Sequence, residues 1–494
     1  MSNLKRLHVA AIFVSFFKAL KDFLIPLIIS LFIGGTREAG GFIRFEFIWI
    51  GIIILIFITG ILHWFSFRYR IENEELYVQQ GIFIKKKRYI QQKRVQSIDI
   101  SAGLFQRLFG LVKVKIETAG GGAEPEVSLI AISRDEAEDI RSELLRKKVV
   151  EPLIDSHDVK QDLSEKEWVE EEKVKEADYT WKLDKNQLFI AALTSSGLGL
   201  AISAVAALFS QVEQFLPETI YEQVFGFLSG SGVLLVIVIA VLIALIGWLM
   251  SFIGTVLKYG GFKIEKYGDE LVISRGLVET RQLTIHITRV TAVRIVSNVF
   301  RQPFGYTAVY VESAGGGSND EQLSTVLLPI VKKADLIKLF TEVLPDYATE
   351  HTIKAVPRRA LIRFLLRVAL IPFVASLFIG IFLTPLAYYG FIIALICLIL
   401  GYFQYRDAGS GLNHTHLWIR YRQVSQQTVI SARNKIQAAE VMISPMQKRN
   451  RLASFKFSVL SSVVGKSFTV LDLERQQAEH MRLWLSTESK REEK

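Results

Sequence analysis

The chain has 494 residues, half of them hydrophobic, a mean hydropathy of +0.30 and 22% charged residues; its apolar residues bunch into runs longer than a water-soluble core needs, which excludes a purely soluble protein. With 59 Lys and Arg against 49 Asp and Glu, the net charge of +10 suits an anionic partner such as a lipid leaflet or nucleic acid. The single cysteine, Cys397, lies inside an apolar run, so neither a disulfide framework nor a thiolate metal cluster is available, and a reducing side for the soluble parts fits.

In chain order, the first apolar stretch covers residues 7–33 and is interrupted by Lys18, Lys21 and Asp22. It predicts an amphipathic segment leading into a short or tilted span at 23–33. Lys5 and Arg6 ahead of it resemble a signal-peptide start, but no small-residue cleavage site follows, which predicts an uncleaved anchor. Five further stretches, at about 46–66, 188–210, 232–257, 361–383 and 386–403, reach the ~20 apolar residues a spanning helix requires. Short links join the six into three hairpins. The links hold few or no cations, whereas Lys5, Arg6, Arg68, Arg70, Lys182, Lys185, Lys258, Lys263, Arg358, Arg359 and Arg406 flank the other ends, which predicts that both termini and all large loops are cytoplasmic.

The first two large loops repeat each other. A shift of 195 residues aligns residues 75–122 with 270–317 without a gap, and 16 of the 48 positions are identical where roughly three would be expected from average composition. The match pairs Gly81 with Gly276, Arg94-Val95 with Arg289-Val290, Phe105 with Phe300, Phe109-Gly110 with Phe304-Gly305, Glu117 with Glu312, and the run beginning Ala119-Gly120 with that beginning Ala314-Gly315. A more diverged third copy places Lys435 at the Arg94 position and Gln447-Lys448 at the Gln106-Arg107 position. The hairpins repeat as well, Leu24-Ile25-Pro26 recurring as Leu370-Ile371-Pro372. Alternation at Leu76, Val78, Ile82 and Ile84 about Gly81 predicts two short strands, and Val95, Ile98, Ile100 and Val112, Val114, Ile116 predict more. Each unit closes with an amphipathic helix: after a capping box at Ser133-Arg134-Asp135-Glu136 in the first, over 334–344 in the second and 473–485 in the third.

These motifs, directly after a membrane hairpin, resemble the bacterial PH-like domain (bPH2) membrane proteins, in the type that carries three such units. The expected fold is therefore an α+β membrane protein, with three transmembrane helical hairpins (about six helices) alternating with three cytoplasmic PH-like β domains, each closed by a C-terminal helix. The predicted parts are hairpin 1 (1–67), PH-like domain 1 (68–148), an acidic linker (149–186), hairpin 2 (187–257), PH-like domain 2 (258–346), hairpin 3 (347–404), PH-like domain 3 (405–488) and a charged tail (489–494). The linker holds 12 acidic and 6 basic residues, the composition of a solvated tether or an acidic docking segment. The third unit departs from the pattern: Arg451 replaces the glycine of Phe109-Gly110, and no triple glycine is present.

Candidate chemistry is sparse. Lys85-Lys86-Lys87-Arg88, followed by Lys93-Arg94, either faces an anionic leaflet, where each cation contributes ~1 kcal/mol, or guards a solvated sheet edge. The third unit, with 12 cations against 5 acids over 405–485, clusters Lys448, Arg449 and Arg451 as a second anionic-lipid or partner contact. Arg94, Arg289 and Lys435 are equivalent, and the expected role is structural, through pairing with an acid such as Glu117 or Glu312. Gly110, Gly305, Gly120 and Gly315 are expected to serve the turns. The glycine runs lack the Gly-Lys-Ser/Thr of a P-loop, His414 and His416 stand without further metal ligands, and no hydrolase or dinucleotide fingerprint is present, so no catalytic, cofactor or metal site is expected. No recognition helix or stacking-aromatic pattern points to nucleic acid. The expected partners are the lipid bilayer, anionic headgroups and, by resemblance, a smaller membrane protein with a single PH-like domain. The resemblance also implies a role in envelope stress and resistance to membrane-active antimicrobial peptides. The alternative is a transporter component built from the six-helix region, with Lys18, Lys21, Asp22, Arg363 and Arg367 as its ionisable groups.

Overall fold

The computed structural model describes residues 4–34, 45–72, 75–81, 84–118, 126–145, 176–195, 233–313, 324–349, 352–382, 390–461 and 465–486. The first unit opens with strand β1 (Lys5–Arg6), helix α1 (Ala11–Gly34) and helix α2 (Phe45–Ser66), then β2 (Arg68–Glu72), β3 (Glu75–Gln80), β4 (Lys86–Gln91), β5 (Val95–Ala102), the short helix α3 (Leu104–Leu108), β6 (Leu111–Thr118), β7 (Val127–Ser133) and α4 (Arg134–Leu145). The second runs through β8 (Tyr179–Lys182), α5 (Lys185–Leu193), α6 (Val233–Tyr259), β9 (Lys263–Tyr267), β10 (Glu270–Arg275), β11 (Thr280–His286), β12 (Val290–Ser297), β13 (Tyr306–Ser313), β14 (Thr325–Lys332) and α7 (Leu336–Val343). The third has β15 (Lys354–Ala355), α8 (Leu361–Phe382), α9 (Gly390–Asp407), β16 (Gly409–Leu412), β17 (His416–Arg422), β18 (Gln426–Ala432), β19 (Ile436–Met442), α10 (Pro445–Arg449), β20 (Leu452–Val459), β21 (Lys466–Glu474) and α11 (Arg475–Ser486).

Four helices among the described residues are long and apolar enough to cross a membrane: Trp49–Ser66, Val241–Tyr259, Arg358–Phe382 and Gly390–Asp407. The N-terminal stretch forms one 24-residue helix, α1, with Lys18, Lys21 and Asp22 in its first half. Most of the predicted span at 188–210, with its small residues Gly197, Gly199 and Ala201, lies outside the described residues. So do most of the acidic linker, the charged tail, and Gly120 and Gly315.

All ladders are antiparallel, and each unit is split between two sheets. In the first unit β2-β3-β4, extended by β1, form one sheet, while β5-β6-β7 belong to another. That second sheet does not stop at the unit boundary. It continues through β5 to β11 of the second unit, giving the seven-stranded order β7-β6-β5-β11-β10-β9-β8. The arrangement recurs one unit later, where β12 pairs with β18 in the order β14-β13-β12-β18-β17-β16-β15. The register is the same at both junctions: Arg281 stands opposite Ser101, and its equivalent Gln427 opposite Val296. The soluble units are therefore fused edge to edge rather than strung as separate beads, a feature the period-two signal could not announce.

Each core lies between its two half-sheets and the closing helix. In the first, Leu76, Ile90, Ile98, Ile116 and Leu129 meet Ile140 and Leu144 of α4; burial of side chains this size stabilises by ~2 kcal/mol each. Trp418 and Ile430 of the third unit pack into the second unit's core, and Ala292 of the second packs into the third's. The capping box predicted at Ser133 is present in part, with the Glu136 amide donating to Ser133 Oγ at 3.2 Å.

One strand boundary differs from the alternation. Ile84 does not belong to β4; it sits exposed in the connection, and β4 begins at Lys86. Gly81 has φ +110°, and a Cβ there would meet the Ile84 carbonyl oxygen, so Ile84 is brought back beside Gly81 and out of the strand that alternation assigned to it; Ile82 lies outside the described residues. Gly276 repeats this, its phantom Cβ meeting the Glu279 carbonyl oxygen.

Candidate membrane-facing site

The strands share one polarity relative to the helices. Strand β2 begins at Arg68, two residues after α2 ends, and its register places Arg68 opposite Gln79 and Gln80 opposite Lys86. The end of each unit nearest its hairpin therefore carries the start of β4, the end of β5 and the short α3 helix. Lys85, Lys86, Lys87 and Arg88 are exposed at that near end, on the terminal strand of their sheet. Lys93 and Arg94 lie at the opposite end, before β5 starts, so the structure separates the two halves of the predicted basic run.

The near end presents a repeated apolar tip that residue type alone would assign to the core. In the first unit Leu104, Phe105, Leu108 and Phe109 are all exposed, Leu108 at 77%. The second unit repeats this with exposed Val299, Phe300 and Phe304. Phe105 stacks on Phe17 of α1 with ring centroids 4.5 Å apart and planes within 6°, which fixes the tip against the first helix of the hairpin. In the third unit the same turn holds Met446, 73% exposed, at the Phe105 position, but Arg449 stands in place of Leu108 and Asn450 in place of Phe109, and Lys448 and Arg451 at the Arg107 and Gly110 positions make the turn basic. The signal that could have found this site was on view, since Phe105 matches Phe300 and Phe109 matches Phe304 at turn positions where no core requires them.

A single buried position in this turn locks each unit to its scaffold. Gln106 bonds its own Gly103 amide through Oε1 at 3.0 Å and donates to the Ile130 carbonyl at 3.4 Å. At the equivalent position Arg301 donates to Thr194 Oγ1 at 3.0 Å, the Ala191 carbonyl at 3.2 Å and the Pro329 carbonyl at 2.9 Å, tying α5 to β14; burial pulls its pKa below the ordinary arginine value. Gln447 donates to Asp472 Oδ1 at 2.8 Å, and Asp472, fully buried, also receives Arg363 Nε at 2.9 Å and Arg367 Nη2 at 2.6 Å from α8. The two ionisable groups on α8 are thus held by a carboxylate of the soluble unit.

The turn glycines behave as the repeat implies: Gly110 and Gly305 have φ of +66° and +68°. Arg451, at the same position, adopts φ +52°, so the third unit keeps the left-handed turn with a residue that carries a Cβ, at a cost of ~1 kcal/mol. Near it, Arg359 donates to the Arg451 carbonyl at 3.4 Å.

Among the described residues, Arg289 and Lys435 bond backbone carbonyls rather than the acids expected to pair with them. Arg289 donates to the Val95 carbonyl of the preceding unit, and Lys435 donates to the Thr288 carbonyl of the preceding unit at 2.6 Å. Arg94, in the first unit, is exposed. Glu117 accepts from Ser97 Oγ at 3.0 Å. Glu312, fully buried, takes Lys466 Nζ at 2.8 Å, Arg294 Nε at 3.4 Å and Ser324 Oγ at 3.0 Å. The lever is distance along the strand: the Arg289 position lies before the strand begins, whereas Glu312 lies beside Arg294 within it.

Comparison with known proteins fits this architecture. The profile of the bacterial PH domain family matches three times, over residues 16–148, 207–346 and 361–489, once for each unit. The chain is similar to the UPF0699 transmembrane protein YdbT of Bacillus subtilis (strain 168), with 33% identity over 495 residues, covering 99% of both chains. It is also similar to the UPF0699 transmembrane protein YdbS of the same organism, with 30% identity over 100 residues, covering 20% of this chain and 60% of that protein. Three tandem matches on three repeats of the same split-sheet unit, each tied to apolar helices, place the chain in the bacterial PH domain family as a transmembrane member.

Proposed function

We propose that the protein is a non-enzymatic scaffold of the cell membrane, with both termini in the cytoplasm, which presents its three PH-like domains to the inner leaflet for lipid or protein binding. The observation that carries this reading is the exposed tip at the hairpin end of each unit: Leu104, Phe105, Leu108 and Phe109, then Val299, Phe300 and Phe304, then the Lys448, Arg449 and Arg451 cluster. The first two tips suit the acyl boundary and the third suits anionic headgroups. Tethering each unit beside its own hairpin raises its effective concentration at the surface, so contacts that are individually weak add up. Engagement of Arg363 and Arg367 by Asp472 supports an anchoring role for those cations rather than a place in a transport path. Following the family resemblance, we assign the scaffold to envelope stress and resistance to membrane-active antimicrobial peptides, beside a smaller membrane protein carrying one such domain.

The test uses the full chain in proteoliposomes, with Cys397→Ser and single labelled cysteines at Phe109, Phe304 or Arg449. Lipids carrying a shallow nitroxide should quench labels at 109 and 304 whatever the headgroup, and a label at 449 only when anionic lipid is present. Glu143, exposed at the far end of α4 beside Gln92, supplies the reference position. Quenching at the three tips no greater than at 143 would refute leaflet contact.

A further inference from the structure

The two internal junctions use the same pair of strands, and among the described residues both strands recur at the ends of the array paired along one edge only. A unit offers its β5-type strand to the β4-type strand of the next unit, as β5 does to β11 and β12 does to β18. The first unit's β4 and the third unit's β19 are the remaining members of these two sets, and each is terminal in its sheet. Positions that a junction covers are uncovered here. Thr284 is 2% exposed in β11, whereas Tyr89 at the same place in β4 is 62% exposed.

The side chains that finish a junction are also present at the free ends. At the first junction Arg281 Nε reaches both Asp99 carboxylate oxygens at 3.0 Å. The repeat places Lys86 at the Arg281 position and Glu440 at the Asp99 position. In the shared register Glu440 would face Arg88 directly and Lys86 diagonally, the relation that Asp99 has to Leu283 and Arg281. At the near end, Arg107 donates to the Leu277 carbonyl at 2.5 Å across the first junction, and Gln302 Oε1 accepts from Arg422 Nη2 at 2.7 Å across the second. Lys448 holds this position at the free tail. At the far end Arg289 and Lys435 reach back to the preceding unit, and Arg94 holds that position at the free head.

We infer that a second copy of this chain docks head to tail, its β4 pairing with β19 in the register of the internal junctions, so that molecules continue the array of PH-like units along the membrane. The complementary ends favour a second copy as occupant: an acid on one edge meets two cations on the other, and an open edge strand is a ready template for pairing. Because the two contact surfaces differ, the association is heterologous and propagates rather than closing as a two-fold dimer.

The experiment uses full-length protein in its native membrane with Cys397→Ser. One tagged copy carries Tyr89→Cys and a differently tagged copy carries Ala439→Cys, positions that the shared register sets opposite each other. On oxidation the mixed pair should cross-link and neither copy should cross-link with itself; both substitutions on one chain should give a ladder. Glu440→Arg should lower the yield about fivefold, and Lys86→Glu with Arg88→Glu in the partner should restore it, which separates pairing from misfolding. The inference is overturned if the mixed pair cross-links no better than a Glu143→Cys control. Equal linkage between two Tyr89→Cys copies would also overturn it, as would cross-linking only to another polypeptide carrying a single unit.

Discussion

The two internal junctions share a backbone register but solve the charge problem differently. At the first, Asp99 and Arg281 meet diagonally across β5 and β11, 4% and 14% exposed, in a bidentate pair. At the second, the Asp99 position is Arg294 and the Arg281 position is Gln427, 3.4 Å from Nη1 to Oε1. The acid has moved inward to Glu312, which meets Arg294 and, from the third unit's β21, Lys466. Burial lowers the Lys466 pKa while the Glu312 carboxylate opposes that shift. The comparison teaches that the strand ladder sets how units join, and that any arrangement neutralising the buried charge is then tolerated.

Removing the shared acid is the strongest way to break the second junction. Glu312→Ala leaves Arg294 and Lys466 buried without their carboxylate, which should destabilise by ~3 kcal/mol or more. Hydrogen exchange should rise in β12 and β18 while β5 and β11 keep their protection. An equal rise at both junctions would show that they do not behave as separate units.

A gentler change tests the first junction. Asp99→Asn keeps the shape of the carboxylate but gives up the charge-assisted pair with Arg281, and should cost ~2 kcal/mol. The expected pattern is the mirror image, with exchange rising in β5 and β11 only.

The smallest effect is one of pH. His416, in β17 beside the second junction, is held below its ordinary pKa of 6.5 by burial, with Asp346 opposing. The folded state therefore disfavours the imidazolium, so this contribution to stability is complete above about 6.5 and is lost as pH falls below it. The corresponding residue of the second unit is Glu270, so the first junction lacks this histidine. Melting followed between pH 7.5 and 5.5 should show a slope that His416→Gln reduces; an unchanged slope would place the titration elsewhere.

Much of this was legible in the chain. The 195-residue shift named the equivalent positions, and alternation located β3, β5 and β6, because a strand with one buried face must show period two. Ile84 misled because a glycine at φ +110° redirected the chain before the pattern could continue. The Arg289 contact was hidden for a different reason: its acceptor is a backbone carbonyl 194 residues away, and carbonyls carry no residue identity. The Phe105 and Phe109 tips were hidden because hydrophobic type does not distinguish a core from a surface that faces lipid.

The sequence by itself determined the three repeats, the apolar helices beside them and the polarity of charge along the chain, because these depend on local composition and spacing. Only the tertiary structure decided that the units share sheets, that Asp472 holds α8, and that β4 and β19 end their sheets among the described residues. Those outcomes depend on groups meeting across long stretches of chain, the shared sheets through backbone hydrogen bonds and the Asp472 contact through side chains, and a hydrogen-bond ladder is written in geometry rather than in residue type.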